Sequence, residues 1–228
     1  MAKLYLLRHL KSQWNKDNRF AGWVDNPLSD EGRAQAKRIS EQLINQKIDV
    51  IYSNALIRCE ETILRVYENI EGKYPLFVHL DGGKMQEWGN FEGLGQGDVP
   101  VYVSEKLNER YYGKIQGLDK VETMKKYGED LVRLWRRGFG DKPPGGESLK
   151  DVCKRTEPFF KKYIQKELAA GKNVLVVGSH NSLRAIVKYI EQIPDNDIIN
   201  LELPFGSLVS YDFNGTSYTK LHYNHLIV

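Results

Sequence analysis

Apolar residues along this chain fall into two patterns, short unbroken runs and stripes at helical spacing. Leu4-Tyr5-Leu6-Leu7 is bounded by charge and reads as a fully buried strand. Residues 49–52 (DVIY) and 173–177 (NVLVV) are of the same kind, the second being the strongest strand signal in the chain. Residues 74–80 predict a further strand, which Pro75 places at an edge or a start. Ser29 is a good N-cap, with Asp30 and Glu31 in the first turn. The stripe Ala34, Ile39, Leu43 and Ile44 behind it predicts a helix to about Lys47. Residues 55–69 predict another, with Leu56, Ile63, Leu64 and Tyr67 on its apolar side. Short helices are expected over 120–127 and 129–137, parted by Gly128, and Ser148 caps a long one to about Ala170. After a break at Gly178-Ser179-His180-Asn181 a helix spans 183–190, and strands at 207–213 and 218–225 flank the hairpin signal Asn214-Gly215.

Strands alternating with helices imply an α/β fold: a three-layer α/β/α, Rossmann-like arrangement with a mostly parallel central sheet and an antiparallel terminal element. Residues 81–98 hold six glycines and little periodicity, opening an irregular insertion at about 81–106. No linker divides the chain, so 1–228 is expected to be one catalytic domain.

At 228 residues, 41% hydrophobic and 28% charged, the composition is that of a globular protein able to bury a sizeable core. A net charge of +3 calls for no nucleic-acid or membrane partner. No run approaches the roughly 18 apolar residues of a membrane helix, and no signal peptide is evident. Cys59 and Cys153 lie far apart without metal spacing, and read as reduced thiols of a cytoplasmic protein. No grouping of His, Cys, Asp or Glu has ligand spacing, so no metal is expected.

Two strand ends carry a histidine, His9 and His180. Phosphoryl transfer through a protein nucleophile needs a neutral ring nitrogen aimed at phosphorus, cations around the equatorial oxygens, and an acid for the leaving oxygen. Arg8 and Arg58 can hold the oxygens, since a guanidinium offers paired donors. Glu109 is the best acid in the middle of the chain, though it also reads as a surface carboxylate. Arg136-Arg137 at a helix end suits a second anionic group, or simple solvation there, and Lys120 is equally ambiguous. His79, His222 and His225 read as structural.

Several ordered motifs resemble the cofactor-dependent phosphoglycerate mutases of the histidine phosphatase superfamily. They are RHLKSQWN from Arg8, RFAGW from Arg19, LNERYYGKIQGLDK from Leu107, KYGED and WRRGF within 126–139, and NSLRAIVKYI from Asn181. The resemblance implies that 2,3-bisphosphoglycerate phosphorylates His9, and that Glu109 gives and takes the proton. It implies that Arg8, Ser12, Asn15 and Arg58 hold the transferring group, with His180 serving it as well. Gly22, Tyr112, Lys120, Arg136, Arg137 and Asn181 would line the rest of the pocket. The activity implied is interconversion of 3- and 2-phosphoglycerate in glycolysis and gluconeogenesis, without metal, in a family often dimeric or larger. A phosphomonoesterase of the same superfamily is the competing reading, and a non-catalytic phosphate-binding module a third.

The chain departs from the family pattern in four ways. Leu10 and Lys11 replace Gly and Glu, so the loop must run differently and Lys11 should oppose protonation of His9. Ser179-His180 replaces His-Gly, which a strict strand alternation would turn away from the site, unless the backbone bends and brings His180 back. Ala21 stands where a threonine is typical. Val228 follows soon after the last strand, where longer mutases carry a tail that closes over the site, so phosphatase activity is expected to be raised.

Overall fold

The computed structural model describes residues 1–224 and consists of one seven-stranded sheet between two helical layers. The strands are β1 (Ala2–Arg8), β2 (Val50–Ser53), β3 (Tyr74–His79), β4 (Asp98–Val103), β5 (Val174–Gly178), β6 (Leu208–Phe213) and β7 (Tyr218–Asn224). Their order across the sheet is β3-β4-β2-β5-β1-β6-β7. The first five strands are parallel to one another, whereas β6 pairs antiparallel with β1 and β7 antiparallel with β6. Ten α-helices accompany them among the described residues. They are α1 (Gln13–Lys16), α2 (Asp30–Ala34), α3 (Ala36–Leu43), α4 (Ile57–Tyr67), α5 (Gly83–Trp88), α6 (Lys120–Tyr127), α7 (Glu129–Arg137), α8 (Leu149–Phe159), α9 (Gln165–Ala169) and α10 (His180–Glu191).

Alternation along β1 explains its unbroken apolar run. Tyr5 and Leu7 face a core made with α3 and α4, through Ile39, Leu43, Ile63 and Val66. Leu4 and Leu6 face the opposite core, made with α8, α9 and α10 through Phe159, Leu168, Leu183 and Ile186. Helices α6 and α7 pack on a small cluster of their own, built from Phe20, Ile115, Val132 and Trp135.

Ser148 caps α8 through a capping box with Asp151. The expected long helix is one helical run, re-spaced as a π turn at Phe160–Ile164 just after Pro158, whose ring removes a rung of the ladder. The helix expected from Ser29 to Lys47 instead tightens at Gln35, whose N–H bonds Gly32, and it ends at Leu43. Leu64 is exposed rather than on the apolar side of α4. The expected irregular insertion at about 81–106 carries the short helix α5 and becomes strand at Asp98, where β4 pairs with β3 and β2. Its Pro100 disguised it. That residue meets only Leu76 of β3, and the ladder to β2 begins one residue later at Val101, so its missing N–H costs little. His225 and the side chain of His222 lie outside the described residues.

Leu10 lies one residue past His9 at the end of β1 and is fully buried in the α3–α4 core, its N–H donating to Thr62 Oγ1 at 3.1 Å. Lys11 turns outward to Glu31, 2.8 Å away. The Lys11 carbonyl accepts from the N–H and hydroxyl of Ser29, at 2.9 and 3.0 Å. A Cβ at Gly32 would come within 2.2 Å of that oxygen, so only glycine lets α2 approach this loop. Leucine at position 10 thus anchors the loop after His9 to the core. Leu10→Ala should destabilise the fold by about 3 kcal/mol, the usual cost of such a cavity. A urea midpoint equal to that of the parent would exclude this anchoring role.

Candidate active site

The register of β1 against β5 pairs Arg8 with Gly178, so the residues after both strands emerge at one sheet end. Ser53 of β2 pairs with Val177 at that same end, and α4 begins there with Arg58 in its first turn. A cavity of about 570 Å³ opens at this edge, the place where open α/β sheets bind ligands.

His9 is buried in its wall. Nδ1 lies 2.7 Å from the Leu10 carbonyl oxygen, which can only accept, so Nδ1 carries the proton and donates. Nε2 of the neutral ring therefore keeps its lone pair. Burial, then Arg58 and Arg8, holds the imidazole well below its ordinary pKa, which keeps it neutral. Lys11 plays no part in this, contrary to expectation, because its ammonium is drawn to Glu31.

Arg8 and Arg58 both line the cavity. Arg8 donates to the Leu203 carbonyl at 2.6 Å and lies over the Phe205 ring at 3.7 Å. Burial pushes its pKa down to about 10, which leaves it charged at neutral pH. Arg58 donates to the carbonyls of Gly22, at 2.8 Å, and Val24, at 3.2 Å. Gly22 has φ +51°, and a Cβ there would run into Gln116, so the carbonyl that seats Arg58 depends on glycine. The Nε of each guanidinium is buried with no partner among the described residues.

Asn15 lines the cavity, but Ser12 does not. Ser12 is fully buried as the N-cap of α1, in a capping box with Asn15, and its hydroxyl donates to Asn15 Oδ1 at 2.8 Å. The expected direct contact of Ser12 with a phosphoryl group is thus replaced by support of Asn15.

Glu109 enters from the opposite side, its carboxylate accepting from the Arg110 N–H at 2.6 Å and Asn181 Nδ2 at 2.7 Å. The Asn181 amide at the start of α10 adds a third donor at 3.3 Å. Asn181 is itself locked, because Oδ1 accepts from Arg110 at 3.2 Å and Arg184 at 2.9 Å. Trp23 and Arg155 both donate to the Glu109 carbonyl, which clamps its backbone.

His180 faces this cavity and Ser179 does not. Ser179 is the extended N-cap of α10, buried against Asn54 Nδ2 at 3.0 Å and near Cys59. The chain enters the helix at His180, so helical geometry rather than strand alternation aims that ring. Burial, then Arg8, Arg184 and Arg137, holds it well below its ordinary pKa. Arg137 Nη1 lies 3.3 and 3.2 Å from its two ring nitrogens. An atom so placed cannot lie in the ring plane without striking the carbon between them, so Nη1 sits over the imidazole face. Tyr112, Lys120 and Arg136 complete the far wall.

Every residue expected at the site thus lines this cavity except Ser12. Glu202, Pro204 and Phe205 also line it and had no sequence signal, since they stand in an irregular segment before β6. Glu31 and Gln35 join from the start of α2 and α3, and Ala21 sits in the wall as well.

A strand-end histidine between two buried arginines, facing a carboxylate on the next wall, defines a phosphoryl-handling site on an α/β sheet. The chain belongs to the histidine phosphatase superfamily (branch 1), whose pattern matches residues 4–96 and 92–226. Within it the chain is similar to proteins named 2,3-bisphosphoglycerate-dependent phosphoglycerate mutase. One from Methanococcus vannielii is 43% identical over 224 residues, spanning 98% of this chain and 95% of its own. Another, from Protochlamydia amoebophila, is 41% identical over 96% of this chain and 99% of its own. Solved structures share the fold at lower identity. A mycobacterial glucosyl-3-phosphoglycerate phosphatase superposes with a TM-score of 0.76 at 23% identity, over 98% of this chain and 99% of its own. Bacillus stearothermophilus YhfR does so at 0.75 and 22%, over 96% and 95%.

Burial, then Arg136 and Arg8, lowers the Lys120 ammonium to about 8. It is charged below that pH and neutral above it, so it contributes to anion binding only on the acid side. Affinity for sulfate, which does not titrate here, should fall by about tenfold between pH 7 and pH 9. Lys120→Arg should flatten that dependence in calorimetric titrations. A flat profile for the parent protein would overturn the assignment.

Proposed function

We propose that the protein interconverts 3-phosphoglycerate and 2-phosphoglycerate through a phosphohistidine at His9. The observation that carries this is the neutral, buried His9 ring, its Nδ1 proton committed to the Leu10 carbonyl and its Nε2 left as nucleophile. The guanidiniums of Arg8 and Arg58, which line the same cavity, fit a phosphorylated ligand. The identities of about 40% to named mutases over nearly the whole chain support the same reading.

Nε2 of His9 forms the new N–P bond as the P–O bond to the leaving hydroxyl breaks. Arg8, Arg58 and Asn15 hold the phosphoryl oxygens, with the His180 ring beside them. Glu109 gives a proton to the departing oxygen and, in reverse, takes one from the hydroxyl that attacks phosphohistidine. Lys120, Arg136 and Arg137, with Tyr112 and Asn181, hold the rest of the three-carbon acid. 2,3-Bisphosphoglycerate, held by the same residues, would supply the phosphoryl group that primes His9. No metal enters this scheme. The two free, buried thiols support a cytoplasmic setting, and no helix among the described residues is long and apolar enough to cross a membrane.

Incubation with labelled 2,3-bisphosphoglycerate should leave acid-labile phosphate on His9, absent in His9→Ala, and the phosphoenzyme should convert 3-phosphoglycerate. Absence of phosphoenzyme would sink this reading. Phosphoenzyme that releases only inorganic phosphate would favour a phosphatase. His180→Ala should slow phosphorylation by roughly a hundredfold, the loss expected for one group facing transferring charge. An unchanged rate would remove His180 from the mechanism.

A further inference from the structure

Two cations of the cavity wall, Lys11 and Arg19, have no part in the scheme above. Lys11 spends its charge on Glu31, 2.8 Å away. Arg19 is held differently. Its Nε donates to the Gly117 carbonyl at 2.6 Å, and its guanidinium lies over the Trp14 ring at 4.3 Å. No carboxylate among the described residues pairs with it. The backbone around it is fixed as well. The Phe20 N–H donates to the Leu118 carbonyl at 3.0 Å, the Gly117 N–H to the Phe20 carbonyl at 2.8 Å, and the Lys120 N–H to the Asn18 carbonyl at 3.0 Å. With Nε committed and one face covered, the Nη edge is what Arg19 offers a ligand, and it is oriented in advance. Its charge is repelled by Arg8, Arg58, Lys120, Arg136 and Arg137 in the same wall, and a ligand of high negative charge relieves that repulsion.

We propose that Arg19 is a specificity-determining residue that holds the phosphoryl group lying away from His9, and so favours a bisphosphate over a single phosphate. The inference rests on the reading above for its ligand, while the pinned guanidinium comes from the geometry. A single phosphate fills the seat at Arg8 and Arg58 and gains nothing from Arg19. A bisphosphate brings a second dianion into the same cavity, where the Nη edge takes it as a fork. In the proposed reaction the phosphohistidine passes its group to a monophosphoglycerate, and the bisphosphate formed must then return its other phosphoryl group to His9. A hold on the outer group keeps that intermediate from leaving between the two transfers.

Calorimetric titrations in a His9→Ala background, where no phosphoryl group can be passed to the ring, compare 2,3-bisphosphoglycerate with inorganic phosphate. Adding Arg19→Gln should weaken the bisphosphate about tenfold and leave inorganic phosphate within about twofold of the same background. Arg19→Lys, which keeps the charge but not the fork, should weaken the bisphosphate about threefold. Equal weakening of the two ligands, or a lysine variant as weak as the glutamine one, would make Arg19 a fastening between Trp14 and Gly117. Either result overturns the proposal, and so does unchanged binding of the bisphosphate. Selective loss of the bisphosphate, in a protein that forms no phosphohistidine when His9 is intact, would retain this inference and refute the mutase reading.

Discussion

The parallel register of β1 and β5 sets Arg8 opposite Gly178 and lets the His9 N–H donate to the Gly178 carbonyl at 3.0 Å. From that pairing follows the meeting of two sequence-distant strand ends, and with them His9 and the start of α10. A slip of one residue would send Tyr5 and Leu7 into the wrong core and point the loop after β1 at a different neighbour. Both cores therefore enforce a register whose chemical result appears only at its end. The antiparallel β6 pairs with the other side of β1 and is preceded by Glu202 and Phe205, so a third stretch of chain is delivered to the same edge.

Concentrating cations at that edge is costly, because burial opposes each charge. The cost is met by directing guanidinium donors at backbone carbonyls. Arg110 donates to Trp135 and Gly138, and Arg184 to Arg137 and Ile198. Both also converge on Asn181 Oδ1, which leaves its amide nitrogen no choice but to face Glu109. A buried network joined at so many points holds geometry tightly, with only the Nε atoms of Arg110 and Arg184 left without a partner among the described residues of this network. The orientation of the carboxylate is thereby set by two arginines that do not themselves line the cavity.

Much of this was legible in the residues. The NVLVV run, the cap at Ser148 and the break at Gly128 all mark elements that exist, because each is a local signal with a local cause. Arg8, His9 and Arg58 were readable because strand ends and first helical turns are where an α/β sheet displays its chemistry. Local rules failed where a tertiary partner decides. Pro100 stands in a strand because its neighbour on one side starts a residue later. Lys11 spares His9 because Glu31 takes it. His180 recovers the cavity because a helix begins at that residue. Glu202 and Phe205 lie in a segment with no period and were invisible for that reason.

Cys59 follows Arg58 in α4 and is fully buried, with Sγ 3.8 Å from the Ser179 hydroxyl. Burial pushes its thiol up to about 11, so in the closed fold it is both shielded and protonated. It can meet an alkylating reagent only when the shell that seats Arg58 and Ser179 opens. Cys153 belongs to another cluster, beneath α8 and α10, and is likewise raised, to about 12. The molecule thus carries two built-in clocks, one timing the loosening of its phosphate end and the other that of its helical back.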